Sequence, residues 1–150
     1  MAGAAIQVNL RELEAVSARL ERLAARTENM LPLMDDIGAA MVASVQNRFE
    51  TGRGPDGIAW EKSERVKRAQ GNAQTLVDDA HLLGSLTHNA ASDSVEVGSN
   101  KIYAAIHQFG GRTGRNHAVD MPARPYLGLD AGDEREIGAI VDDYLAEALR

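Results

Sequence analysis

The sequence predicts an α+β domain: two N-terminal helices, a small antiparallel sheet built on a hairpin, a short helix, and a C-terminal amphipathic helix packed on the sheet. Three observations predict it. Apolar residues recur every three or four positions in 13–23, 33–49 and 137–149. They alternate singly on both sides of Ser92-Asp93. Glycine and proline punctuate the chain between these stretches. At 150 residues, one domain over 1–150 is the default, long enough to bury a core without covalent help.

The first helix is expected from about Leu10 to Arg26. Asn9 can cap it, with Glu12 at capping-box spacing. Leu13, Val16, Leu20 and Leu23 make one narrow stripe, so its partner is expected to be another helix. Pro32 suits a first turn, and Leu33, Ile37, Met41, Val45 and Phe49 repeat every four residues in a second helix, to Glu50. Gly38, Ala39, Ala40, Ala43 and Ser44 allow neighbours to pack closely on more than one side. Gly52 suits a left-handed cap, and Pro55-Asp56-Gly57 a turn. Trp60 is either an anchor folded back onto the domain or a partner contact.

The segment 61–73 is charged without an apolar face, and is expected to be mobile or weakly helical. A short helix over 75–83, ending at Gly84, is expected next. Leu86, His88 and Ala90 alternate with Thr87 and Asn89, and Val95 and Val97 with Ser94 and Glu96, as in a hairpin. A two-turn helix over 101–109 has Ile102, Ala105, Ile106 and Phe109 on one face, and Gly110-Gly111 stops it. Arg112 to His117 reads as a flexible loop, and 118–121 as a short strand. Pro122 and Pro125 fix the backbone around Arg124. Asp130 caps the last helix, with Asp133 and Glu134 at its positive end. Mobile loops are thus expected at about 51–74 and 110–120.

Composition excludes several classes. There is no cysteine, hence no disulfide, thiolate site or thiol nucleophile. The first thirty residues show no signal-peptide pattern, and no window approaches a membrane span. A net charge of −6 argues against a general nucleic-acid binder. The charge is uneven, however. Residues 51–72 hold five bases against three acids, and residues 130–150 seven acids against Arg135 and Arg150. Such asymmetry suits head-to-tail contact between copies, or else two solvated faces.

No chemistry can be assigned by spacing. His81, His88, His107 and His117 fit no metal-ligand motif. Gly84-Ser85 and Gly98-Ser99 lack the nucleophile elbow. Asp35-Asp36, Asp78-Asp79 and Asp142-Asp143 are adjacent pairs, which diverge on a helix. Asp78-Asp79 with Asp93 or Asp120 could hold a divalent ion, as in a nuclease, but nothing requires it. No glycine loop matches a phosphate fingerprint, so no catalytic, metal or cofactor residue is named. Arg112–His117 and Lys62–Arg68 could touch phosphates, yet Trp60, Tyr103 and Tyr126 are too scattered to form a stacking platform.

Four motifs together carry a resemblance. They are Arg48-Phe49 followed by Gly54-Pro55-Asp56-Gly57-x-x-Trp60; Leu82-Leu83-Gly84-Ser85-Leu86; Val95-x-Val97-Gly98-x-Asn100-x-x-Tyr103 continuing through Ala104, Ala105, Ile106, His107, Gln108, Phe109, Gly110 and Gly111; and Met121-Pro122-Ala123-Arg124-Pro125-Tyr126-Leu127-Gly128. In this order, over about 34–145, the chain resembles the phage virion morphogenesis family, the tail completion proteins of Mu-like and related contractile-tailed phages and prophages. The resemblance implies a non-enzymatic particle protein without cofactors, assembled in the bacterial cytoplasm and residing in the virion at the tail or head–tail junction. It implies a ring of copies, commonly a hexamer, that caps the head-proximal tail end and enables joining to the head. Expected partners are tail tube or terminator proteins and connector proteins, with at most incidental DNA contact in a lumen and no membrane.

Within that frame, subunit or partner contact is expected at Arg53, Trp60, Arg112, Arg115 and Arg124. Packing or hinge roles are expected at Tyr103, His107, Phe109, Gly110, Gly111, Pro122, Pro125 and Tyr126, with Trp60 as the alternative loop-pinning anchor. Segment 61–74 departs from the family's threonine- and lysine-rich loop, which puts its role in doubt. Tyr126 stands where relatives often have phenylalanine, which suggests a partly buried or hydrogen-bonded hydroxyl.

Overall fold

The computed structural model describes residues 10–78 and 80–150. It is a mixed α+β fold. Among the described residues five α-helices, α1 (Leu10–Glu28), α2 (Leu31–Thr51), α3 (Glu64–Arg68), α4 (Ala104–Phe109) and α5 (Ala131–Leu149), accompany two separate antiparallel ribbons. The first pairs β1 (Leu86–Ala90) with β2 (Val95–Ser99), and the second β3 (Gly111–Thr113) with β4 (Val119–Met121). The expected Asn9 cap and the second member of the Asp78-Asp79 pair lie outside the described residues.

Helix α2 is the central element because apolar residues line more than one of its sides. Leu33, Ile37 and Met41 form one cluster with Val95 and Val97 of β2 and with Ile137, Ile140, Val141 and Tyr144 of α5. Val45 and Phe49 belong to a second cluster with Trp60, Leu82, Leu86, Ala104 and Tyr126. Its small residues let neighbours close in, as expected: a Cβ on Gly38 would lie 2.4 Å from the His88 ring and 2.8 Å from Val95. Helix α1 packs on α5, where Arg22 Nε donates to the Ala148 carbonyl at 3.3 Å and the Arg26 guanidinium stacks 4.6 Å from the Tyr144 ring centre. Within the α1 stripe Val16 is 51% and Leu20 59% exposed.

Gly52 ends α2 in the left-handed conformation, its N–H bonding the Arg48 carbonyl at 2.8 Å. The Gly54–Gly57 turn closes with a 3.0 Å hydrogen bond. Ser63 caps α3 by accepting from Val66 N–H, so the weakly helical reading of this charged segment holds for its first half.

Two expectations need correction. The described residues of 75–82 are not helical: Leu76 and Ala80 have φ of 66° and 54°, Gln74 bridges Val77, and a 3-10 turn follows at Leu83–Ser85. The apolar pairs Leu76-Val77 and Leu82-Leu83 pack against the Phe49–Trp60 cluster from irregular backbone. Residues 111–121 are not a bare loop before a strand but a ribbon, in which Arg112 faces Asp120 across the strands.

Candidate functional site

A few polar side chains hold the stretch 101–130 in place. Gln108 on α4 clamps the following connector: its Oε1 accepts from the Tyr126 and Leu127 N–H groups at 2.9 and 3.0 Å, and its Nε2 donates to the Leu127 carbonyl at 3.1 Å. Gly110 turns the chain beneath it at φ 70°, ψ −173°, a region open essentially to glycine alone. A Cβ there would stand 2.6 Å from the Ala123 nitrogen. The connector runs through the core, with Tyr126 1% exposed and packed edge-on against Phe49 at 5.3 Å between ring centres.

Several expected contact residues are turned inward. Trp60 is 8% exposed, its Nε1–H donating to the Pro125 carbonyl at 2.8 Å and its ring set edge-on to Phe49, so it is the anchor of the two alternatives. Arg124, expected at a partner contact, is instead 5% exposed, because its Nε–H donates to the Glu61 carbonyl at 2.7 Å and its backbone N–H to the His107 carbonyl at 2.8 Å. The Tyr126 hydroxyl is fully internal and donates to the Ala104 carbonyl at 3.0 Å. Arg53 stays outside the core but bends back to the Gly57 carbonyl at 2.9 Å.

The expected packing face of α4 is turned outward. Ala104 is its buried residue, whereas Ile102 is 98% and Phe109 78% exposed. Phe109 is therefore not packed within its own chain. The helix starts at Ala104 rather than Lys101, which moves Ile102 off the predicted face and into the preceding turn. Tyr103 sets its ring edge-on to His107 at 6.0 Å. Arg112 and Arg115, on β3 and in the turn after it, are exposed, and among the described residues neither lies within ion-pair distance of a carboxylate.

The charge asymmetry is partly spent inside the molecule. Lys67 pairs with Glu64 and Glu61, and Arg65 with Asp78, so much of the basic segment is self-neutralised. Asp130 and Asp133 turn in to Arg48, which leaves Glu134, Glu136, Asp142, Asp143 and Glu147 exposed on α5.

Sequence reasoning missed Arg48, Asp133 and Gln108 as organising residues. Arg48 lies three positions after Val45 and one before Phe49, on the apolar face of α2, where an arginine must find internal partners. That spacing was the available signal. Gln108 carries no comparable signal, because its partners are backbone groups about twenty residues away. Among the described residues no three acids or histidines cluster as metal ligands would, and no helix is long and apolar enough to cross a membrane.

The family model for phage virion morphogenesis matches residues 11–146. The chain belongs to the phage virion morphogenesis family. Among curated proteins, the Mu-like prophage FluMu G protein 2 of Haemophilus influenzae is 40% identical over 139 residues, 93% of this chain and 95% of its own length. A protein of Escherichia phage Mu, provisionally named capsid assembly protein G, is 36% identical over 124 residues, 76% of this chain and 78% of its own. No solved structure matches significantly. Membership gives the chain a structural role in building the phage particle.

Proposed function

We propose that this virion morphogenesis protein completes or caps the head-proximal end of the phage tail and enables head–tail joining, working as a ring of copies. The observation that carries the reading is the exposure of two large apolar side chains, Ile102 and Phe109, together with two exposed arginines, Arg112 and Arg115, that make no ion pair among the described residues. An isolated subunit leaves both apolar side chains in water, whereas a neighbour would cover them. The exposed acids of α5 supply the opposite sign for a heterologous, head-to-tail contact.

Light scattering across a concentration series tests the reading. A mass above that of the 16.1 kDa subunit, reduced by Ile102→Ser with Phe109→Ser, is expected. A single-copy mass throughout, with no capture by tail or connector proteins, would overturn it. The second reading, a nucleic-acid-contacting module at the junction, rests on the same two arginines. It predicts a duplex gel shift that weakens steeply with salt.

A further inference from the structure

A cavity of about 450 Å³ lies between the α3 segment, the 76–82 turns, α4 and the connector. Its apolar walls are Leu76, Leu82 and Met121, with the Tyr103 ring beside them. Two polar groups of unusual status also line it. Arg124 is 5% exposed, and among the described residues its guanidinium meets only the Glu61 carbonyl, through Nε. The Nη groups retain donors, and no described carboxylate pairs with them. His107 presents an Nδ1 atom that is buried and has no hydrogen-bond partner. A largely buried guanidinium whose Nη donors are unspent at a cavity wall is available to an acceptor.

We propose that this cavity receives the carboxylate of a single aspartate or glutamate side chain presented by another protein chain. The guanidinium offers a planar fork matched to the two carboxylate oxygens. The apolar walls suit the short methylene stem that carries such a group. The charge balance selects a monoanion. Arg65 is spent on Asp78 at 3.3 Å and on the Gln74 and Val77 carbonyls, and burial with the nearby Arg124 charge holds His107 below its usual pKa. Arg65 and Asp78, which both line the cavity, thus offset each other, and among the described residues Arg124 is the lining arginine without a carboxylate partner. A phosphomonoester brings nearly two charges, and a duplex backbone calls for a row of cations rather than one recessed guanidinium.

The test uses the full chain and three probes: N-acetylglutamate amide, its neutral glutamine counterpart, and inorganic phosphate. Nuclear magnetic resonance follows the His107 ring nitrogens and the Arg124 and Met121 amides. Expected is a saturable shift with the glutamate probe, none with the glutamine probe, and binding of phosphate at least several-fold weaker. Arg124→Lys keeps the charge but removes the fork, and is expected to weaken binding about tenfold. Should that variant fail to fold, the Arg124 guanidinium resonances of the parent protein are followed instead, and are expected to shift with the glutamate probe and not with its glutamine counterpart. A non-saturating response to the glutamate probe, equal response to the glutamine probe, or tighter binding of phosphate would overturn the assignment.

Discussion

Arg48 and Asp133 meet as a buried ion pair, each side chain 5% exposed, that ties the end of α2 to the first turn of α5. Arg48 also donates to the Tyr126 and Gly128 carbonyls at 2.9 and 2.8 Å, and reaches Asp130 at 3.4 Å. Asp133 accepts from Ser44 and from the Asp130 N–H, the latter at 3.0 Å, closing a capping box. One pair thus joins two helices and the connector between α4 and α5. Removing one partner strands a buried charge, so Arg48→Met is expected to cost about 3–5 kcal/mol in urea unfolding. Adding Asp133→Leu removes the stranded charge. The double variant is expected to be less destabilised than the sum of the two singles, by ~2 kcal/mol. Additive losses would show that the two side chains act independently.

Gly110 makes a second prediction. Its backbone lies in the glycine-only region, and a Cβ would press on the Ala123 nitrogen and the Met121 carbonyl oxygen. Both obstacles are backbone and cannot swing aside. Gly110→Ala is expected to destabilise by about 3 kcal/mol. Gly84, with open space around it, serves as the control, and its alanine variant is expected to change stability by about 0.5 kcal/mol or less. Equal effects in thermal unfolding would contradict the close approach.

Acid should destabilise the fold through two groups in separate windows. Burial and the Arg124 charge lower the His107 pKa. The unfolded chain then takes up a proton first, so stability is lost as pH falls below about 6.5 and levels off below the folded value. Asp130 is held low by the Asp133 and Gly132 N–H groups and by Arg48. Its contribution stands above about 3.9 and is lost as pH falls through the folded value. His107→Gln should flatten the upper window of a stability–pH curve, and Asp130→Asn the lower one. A His107→Gln curve parallel to the parent near pH 6 would refute the first assignment.

Legibility in the sequence followed the range of the interactions. Helices α1, α2 and α5, the β1–β2 ribbon, the Gly52 cap and the Gly54–Gly57 turn are set by periodicity or by local turn chemistry, and the structure has them where expected. Residues 75–83 misled because Leu76-Val77 and Leu82-Leu83 mimic helical spacing while tertiary packing holds the backbone in left-handed turns. Arg124 looked like a surface cation because its partners, the Glu61 and His107 carbonyls, are distant in sequence and are backbone atoms. Ile102 and Phe109 looked like core because periodicity detects an apolar face without saying whether this chain or another covers it.

The remaining prediction concerns the proposed head-to-tail contact. Arg112 and Arg115 are exposed and make no ion pair among the described residues. Arg112→Glu with Arg115→Glu therefore takes no structural interaction from the folded subunit. Stability is expected to change by about 0.5 kcal/mol or less. The carboxylate introduced at position 112 would face Asp120 across the ribbon, so circular dichroism should confirm the fold. In a phage complementation assay the same double variant is expected to yield separate heads and tails. At the proposed head-to-tail contact the charge reversal would set like against like, and such juxtaposition costs several kcal/mol at an interface. Single reversals should give intermediate yields, because each leaves one guanidinium in place. Normal particle yield from the folded double variant would take both arginines out of head–tail joining.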